Sequence, residues 1–137
     1  MNIYLDFDGT VVEHNYPKIG KLNPNSLEVI KKLQDAGYNI ILNTMRVEFD
    51  DNSMQEALDF INSNEQFTGN KITQQTKQKI YPHQWNLDKI ENDIFIDDIA
   101  VNIPITKASV DGFMVDWFEI ERQFVEKGIL NKNDVVE

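Results

Sequence analysis

Two short apolar runs, near opposite ends of the chain, each finish in acidic residues, and they restrict the fold more than any other feature. Residues 2 to 6 read Asn-Ile-Tyr-Leu-Asp and lead directly into Phe7-Asp8-Gly9-Thr10, while Ile94-Phe95-Ile96 leads into Asp97-Asp98. Runs this short, apolar and without polar alternation read as strands buried on both faces, the kind found in parallel sheets covered by helices.

The segments between them alternate in the way such a sheet needs. After a loop containing Pro17 and Gly20, Asn23 reads as an N-cap with Pro24 at the first helical position. Leu27, Ile30 and Leu33 recur at helical spacing, and Gly37 ends the helix. Residues 38 to 43 form a second strand, and residues 53 to 62 a second helix with Ala57, Leu58 and Ile61 inward. Gln66-Phe67-Thr68 reads as a short strand, and the polar stretch from Asn70 to Gln84 has no clear period and reads as loop with some helix.

Beyond the second acidic pair, Ile103 to Val110 and Phe113 to Val115 flank an Asp111-Gly112 turn and are expected to pair as a hairpin, with Pro104 keeping the first arm at an edge. Asp116 and Glu119 suit a capping box for a helix carrying Trp117, Ile120, Phe124 and Val125, stopped by Gly128. Residues 131–137 read as a frayed tail. The alternation implies an α/β fold: a single Rossmann-like, three-layer domain over residues 1–130, its sheet mainly parallel with helices on both faces.

With 137 residues and 41% hydrophobic content the chain is long enough for one real core. Cysteine is absent, which excludes disulfides, thiolate metal sites and a cysteine nucleophile. The start of the chain meets charge at Asp6, unlike a signal peptide, and no stretch approaches the ~18 apolar residues of a membrane span. A cytoplasmic protein with no membrane contact is therefore expected. A net charge of -10 disfavours a grip on long nucleic acid, which needs clustered Lys and Arg. A small anionic substrate would need local positive charge, and a metal ion is the obvious source.

The acidic runs supply the site for one. In open α/β sheets ligands bind beyond the carboxyl ends of the strands, where Asp6, Asp8, Asp97 and Asp98 would meet if their strands are neighbours. Unpaired carboxylates about 4 Å apart repel by about 1 to 4 kcal/mol per pair in water-like to protein-surface dielectrics. A hard divalent cation such as Mg2+, bound through oxygens, offsets that repulsion. An EF-hand is excluded because its turn glycine belongs at the sixth loop position and Gly9 is at the fourth.

These residues resemble the haloacid dehalogenase-like hydrolase superfamily, whose first motif is an apolar strand followed by Asp-x-Asp-Gly-Thr, as in Asp6 to Thr10. The second motif, a Thr or Ser ending the next strand, is matched by Thr44, and the fourth, an acidic pair after a strand, by Asp97-Asp98. For the third, a lysine, Lys89 just before the last strand is the choice, with Lys79, Lys77 and Lys71 as alternatives. Within the superfamily the chain is similar to small bacterial members without a cap domain, through residues 12–20, Thr44-Met45-Arg46, Pro82-His83-Gln84 and Asp116-Trp117. The spans from Thr10 to Pro24 and from Arg46 to Lys89 are too short for a cap.

The resemblance implies a Mg2+-dependent phosphatase acting on a small-molecule phosphate ester. Asp6 would be the nucleophile, forming an aspartyl-phosphate, and Asp8 the general acid and base. Thr44 and Lys89 would hold the phosphoryl oxygens, with backbone N–H groups near Phe7 and Gly9 adding donors. Asp6, Asp8 (through its backbone carbonyl), Asp97 and Asp98 would surround the metal. Gly9, Thr10, His14 and Arg46 would face the substrate, Arg46 gripping a second anionic group or serving as a structural charge. An acid at position 8 points away from dehalogenases, which lack it, and from transport ATPases, which carry Thr there. Similar proteins often have a basic residue after the acidic pair, where this chain has Ile99-Ala100.

Receiver domains of two-component signalling share the parts but not the order: their acidic pair comes first and the acceptor Asp in mid-chain. An inactive phosphate- or Mg2+-binding scaffold is the other competing reading. Oligomeric state is not legible from these residues.

Overall fold

The computed structural model describes residues 1–82, 84–89, 93–109 and 112–131. Four strands form one parallel sheet in the order β3-β2-β1-β4: β1 (Asn2–Leu5), β2 (Asn39–Leu42), β3 (Thr73–Gln74) and β4 (Ile94–Ile96). The chain therefore winds outward from β1 through β2 to β3, then crosses back to place β4 on the other side of β1. Helix α1 (Ser26–Asp35) links β1 to β2, and α2 (Ser53–Asn62) links β2 to β3. Strands β5 (Ile105–Lys107) and β6 (Phe113–Val115) make a separate antiparallel pair, followed by α3 (Trp117–Glu126).

The register decides where the chemistry goes. Leu5 is level with Leu42 on one side and Ile96 on the other, so Asp6, Asn43 and Asp97 leave the sheet side by side at its carboxyl edge. Two further bonds hold that edge: the Asn43 N–H donates to the Leu5 carbonyl at 2.7 Å, and the Asp6 N–H to the Ile96 carbonyl at 2.9 Å. Ile3, Leu5, Leu42 and Ile96 are sealed from solvent, as expected of strands covered on both faces. Tyr4 and Phe95, paired in register, stack with ring centroids 4.9 Å apart.

Sealed helical residues complete the core. Leu27, Ile30 and Leu33 come from α1, Ile61 from α2, and Trp117, Ile120 and Phe124 from α3. Helices α1 and α3 are tied by Lys32 to Glu121 at 2.6 Å and by Asn25 to the same carboxylate at 2.9 Å. Asp116 caps α3, accepting from the Glu119 N–H at 3.2 Å. Only half of the expected capping box forms, because Glu119 turns to Arg122 and the Asp116 N–H donates to the Pro104 carbonyl.

Three expectations shift. Helix α1 begins at Ser26, with Asn25 rather than Asn23 as its N-cap. Buried Asn23 is drawn away by tertiary partners, donating to the carbonyls of Thr10 and Val115 at 2.8 and 2.7 Å. The third strand forms at Thr73–Gln74 rather than at residues 66–68, because Phe67 turns inward to the core and Thr73 aligns with Ile41. The hairpin forms with Ile105 opposite Val115, while residues 110–111 of its turn and 132–137 of the tail lie outside the described residues, as does His83.

Candidate active site

Asp6, the first residue past β1, is 4% exposed and lies at the floor of a cavity of about 270 Å3 at the carboxyl edge of the sheet. The Thr10 hydroxyl donates to Asp6 Oδ2 at 3.2 Å and accepts from the Asp98 N–H at 3.3 Å. It thereby bridges the two acidic motifs. Lys79 Nζ approaches Asp6 Oδ1 at 3.3 Å and Asp97 Oδ2 at 2.9 Å, and lies 5.3 Å from the centre of the Tyr81 ring. The buried Asp97 Oδ2 has this ion pair but no well-directed hydrogen bond, while the other Asp97 oxygen accepts from the Ile99 N–H at 3.2 Å.

Oxygens of Asp6, Asp97 and Asp98 lie within 4.8 Å of one another, and among the described residues Lys79 is the one ammonium paired with them, through Asp6 and Asp97. Burial, then the neighbouring Asp97 charge, pushes Asp6 well above the ordinary carboxylate range, with Lys79 pulling the other way. Burial likewise raises Asp97, against the pull of the adjacent Lys79 ammonium. For Lys79 burial pulls downward, but Asp6 and Asp97 outweigh it and hold its ammonium above the ordinary lysine value. The cluster is short of positive charge, and its donors are all hard oxygens. These residues fit a divalent cation of the Mg2+ type.

The Asp8 side chain is not part of that carboxylate cluster. Its two oxygens accept from Arg46 Nε at 2.7 Å and Nη2 at 2.8 Å, a forked, bidentate pair. Arg46 is 1% exposed, and its remaining N–H groups reach the carbonyls of Pro17 at 3.3 Å, Ser53 at 3.2 Å and Lys18 at 2.9 Å. Its guanidinium also lies 5.1 Å from the ring centres of both Phe7 and Tyr16. All five donors of the side chain are thus placed on the protein, and none is left to grip an anionic substrate. Arg46 holds Asp8 and ties the loop of residues 16–18 to the start of α2.

Thr44 lines the cavity, where its hydroxyl accepts from the Arg46 N–H at 3.3 Å and opens the 3-10 turn Met45–Glu48. Gly9 has φ +82°, and a Cβ there would collide with His14 Nε2 and Asp98 Oδ2, so only glycine lets the histidine close down on the acid. His14 Nε2 lies 2.7 Å from Asp98 Oδ2, with its ring largely exposed at the cavity wall. The Gly9 N–H is engaged with the Val12 carbonyl at 2.7 Å and is not a free donor for a phosphate. Thr10, fully buried, serves the cluster and does not face the cavity.

Lys89 is the main correction. It is exposed on the turn Leu87–Lys89, in a different depression with Asp93 and Ile94, at the opposite end of β4 from Asp97. Lys71 and Lys77 are also exposed, and buried Lys79 is the lysine brought to Asp6. It is placed from β2: the Asn43 amide donates to the Ile80 carbonyl at 2.7 Å and accepts from the Ile80 N–H at 2.9 Å. Glu48 adds a bond to the Lys79 N–H at 3.1 Å. The available signal was slight: Ile80-Tyr81 is the one apolar pair between Thr73 and Gln84.

The profile of the haloacid dehalogenase-like hydrolase family matches residues 3–126. A solved structure of a conserved protein from Bacteroides thetaiotaomicron is similar over 100% of this chain and 98% of its own length, with 28% sequence identity and a TM-score of 0.61. No curated protein matches significantly. With the family's Asp-x-Asp-Gly-Thr run at the sheet edge and its acidic pair beside it, the chain belongs to the haloacid dehalogenase-like hydrolases.

Proposed function

We propose that this hydrolase is a Mg2+-dependent phosphatase that cleaves a small phosphate monoester through an aspartyl-phosphate on Asp6. The observation that carries the reading is the position of Asp6: a buried carboxylate at the end of an open cavity, bonded to Lys79 and Thr10 and flanked by Asp97 and Asp98. Asp6 attacks phosphorus and the bond to the ester oxygen breaks, and the departing oxygen takes a proton that Asp8, a carboxylate while paired with Arg46, first picks up from solvent. Water activated by Asp8 then releases phosphate from Asp6. Arg46 occupies two of the four lone-pair sites of Asp8 and fixes its plane, leaving the others for the proton transfers.

Lys79, rather than Lys89, and Thr44 hold the phosphoryl oxygens in this scheme, Lys79 also screening Asp6 from the incoming anion. Asp6, Asp97 and Asp98 would hold Mg2+, which neutralises phosphate charge when bound. His14, beside Asp98, faces the substrate. Residues 1–130 act as the hydrolase domain without a separate cap: no inserted unit interrupts the sheet among the described residues. Among the described residues no helix is long and apolar enough to cross a membrane. The lack of cysteine suits the reducing cytoplasm, where we place the protein, and its acidity disfavours nucleic-acid partners.

The decisive assay is turnover of an aryl phosphate with Mg2+, with EDTA, and with Asp6→Asn. The reading requires turnover that both EDTA and the substitution abolish. No turnover of that ester or of a broad phosphometabolite panel would sink it. A long-lived phosphoprotein formed from acetyl phosphate, without turnover, would favour a receiver-like role instead.

A further inference from the structure

Resting on the phosphatase reading, we infer that the substrate is the phosphate monoester of a compact, uncharged, apolar alcohol or phenol whose organic group, preferably a single aromatic ring, seats against Tyr16, Phe49, Met45 and Ile99. These four side chains line the same cavity as Asp6 and are 41–54% exposed. Asp6 and Lys79 lie at the floor and the His14–Asp98 pair on one wall, while these four side chains give the cavity a contiguous apolar wall where a leaving group would lie.

Two aspects of this wall make it a seat. The Tyr16 and Phe49 ring centres are 5.1 Å apart, and the Tyr16 hydroxyl donates to Asp51 at 2.9 Å while its ring packs on Arg46. Tyr16 is held in place before anything binds, which reduces the ordering cost of stacking a ring on it. The size also fits: about 270 Å3 lies just below the ~300–1,000 Å3 usual for ligand pockets, room for a phosphate and one ring rather than an extended polymer.

The charges exclude the main competitor, a substrate with a second anionic group. Among the described residues Arg46 and Lys79 are the cations lining the cavity, and both are paired with carboxylates. His14 is paired with Asp98. A carboxylate or second phosphate would meet acidic neighbours and, among the described residues, no cation beyond the Lys79 that serves the reacting phosphoryl group, and a polyol would lose water without matching donors along the wall.

The test compares three alkyl esters, so that the leaving group is not an activated phenol: 2-phenylethyl phosphate, glycerol phosphate and phosphoglycolate, each with the Mg2+-loaded protein. Partial burial of the ring favours the phenylethyl ester by about tenfold in kcat/KM over glycerol phosphate, with phosphoglycolate poorer still. Phe49→Ser should collapse the phenylethyl-to-glycerol ratio toward one through KM. Ile99→Lys should raise phosphoglycolate relative to the other two. Equal or better turnover of glycerol phosphate or phosphoglycolate by the unaltered protein overturns the inference and leaves the phosphatase reading standing.

If none of these esters turns over and the aryl phosphate and metabolite panel fail as well, the phosphatase reading fails and binding decides the seat separately, by NMR titration with 2-phenylethylphosphonate and 2-hydroxyethylphosphonate. A phenyl preference that Phe49→Ser removes supports the seat; equal binding, or none, overturns it. A dimer whose formation abolishes the preference would assign the wall to a second copy and also overturn it.

Discussion

Arg46 and Lys79 are both buried cations that face carboxylates at the same sheet edge, yet their surroundings differ. Arg46 has one carboxylate, three carbonyls and two aromatic faces, so every donor is matched and the unit is complete. Lys79 is one ammonium among the oxygens of Asp6, Asp97 and Asp98, two of which are pushed toward their protonated forms by burial. A finished charge pair positions; an unfinished one has capacity left for a ligand. The contrast fits Arg46 to holding Asp8 and supports the proposed role of Lys79 in the chemistry.

The largest effect that tests this is on the unfinished side. Asp6→Asn should lower phosphatase turnover by on the order of 10^4 or more, read by steady-state kinetics, because no other group is placed to take the phosphoryl. On the finished side, Arg46→Ala removes a buried guanidinium, leaves the partly buried Asp8 without its partner and frees three carbonyls, and should cost about 3–5 kcal/mol by urea denaturation. Arg46→Lys should recover only part, since an ammonium cannot reproduce the fork. A neutral result for Arg46→Ala would break the contrast.

Lys79→Met should lower turnover about 10^2- to 10^3-fold, while Lys89→Ala stays near normal. The reverse outcome would return the phosphate-binding role to Lys89.

Smaller again is a pH effect in metal-free protein. Asp6 and Asp97 have folded-state pKa values raised above the unfolded ones, so the fold binds protons more tightly than the unfolded chain. Their contribution is fully present below the ordinary carboxylate range and is lost as pH rises through the raised values. Thermal stability should therefore fall with pH over that window, flatten in Asp6→Asn, and be restored in the unaltered protein by Mg2+, by about 2.7 kcal/mol at a hundredfold excess over Kd. Calorimetry across pH, with and without Mg2+, measures all three.

The smallest effect is away from the site. Arg122 holds Glu119 down at about 2, but the pair is solvent-screened, so Glu119→Gln should cost only about 0.3–0.5 kcal/mol. That contribution is present above the ordinary glutamate value and lost as pH falls toward 2.

What the sequence disclosed follows from how local each cause was. Strands β1 and β4 were legible because continuous apolar runs meet acid abruptly, and α2 because Ala57 and Ile61 repeat at helical spacing. Asp6, Asp97 and Asp98 could be grouped from the rule that parallel strands present ligands at their carboxyl ends. What stayed hidden was set by distant partners. Asn23 looks like a cap until Thr10 and Val115 claim its amide. Arg46 offers no sign in its neighbours that the loop of residues 16–18 and Ser53 will occupy its donors. Lys79 sits in a stretch with no periodicity, and β3, two residues long, has too few side chains to show one.

The two hydrogen bonds between Asn43 and Ile80 have a bearing on how such an enzyme varies over time. They fasten the lysine to β2, directly beside Thr44, so the lysine's distance along the chain from either acidic motif has no structural meaning. Residues can be gained or lost after Pro82, or between β3 and Gln78, without moving Lys79 Nζ, provided the amide at position 43 keeps its grip. The acidic core and the length of the connection from β3 to β4 are thereby uncoupled, and the mouth of the site can be rebuilt by insertion while the floor around Asp6 and Lys79 stays as it is.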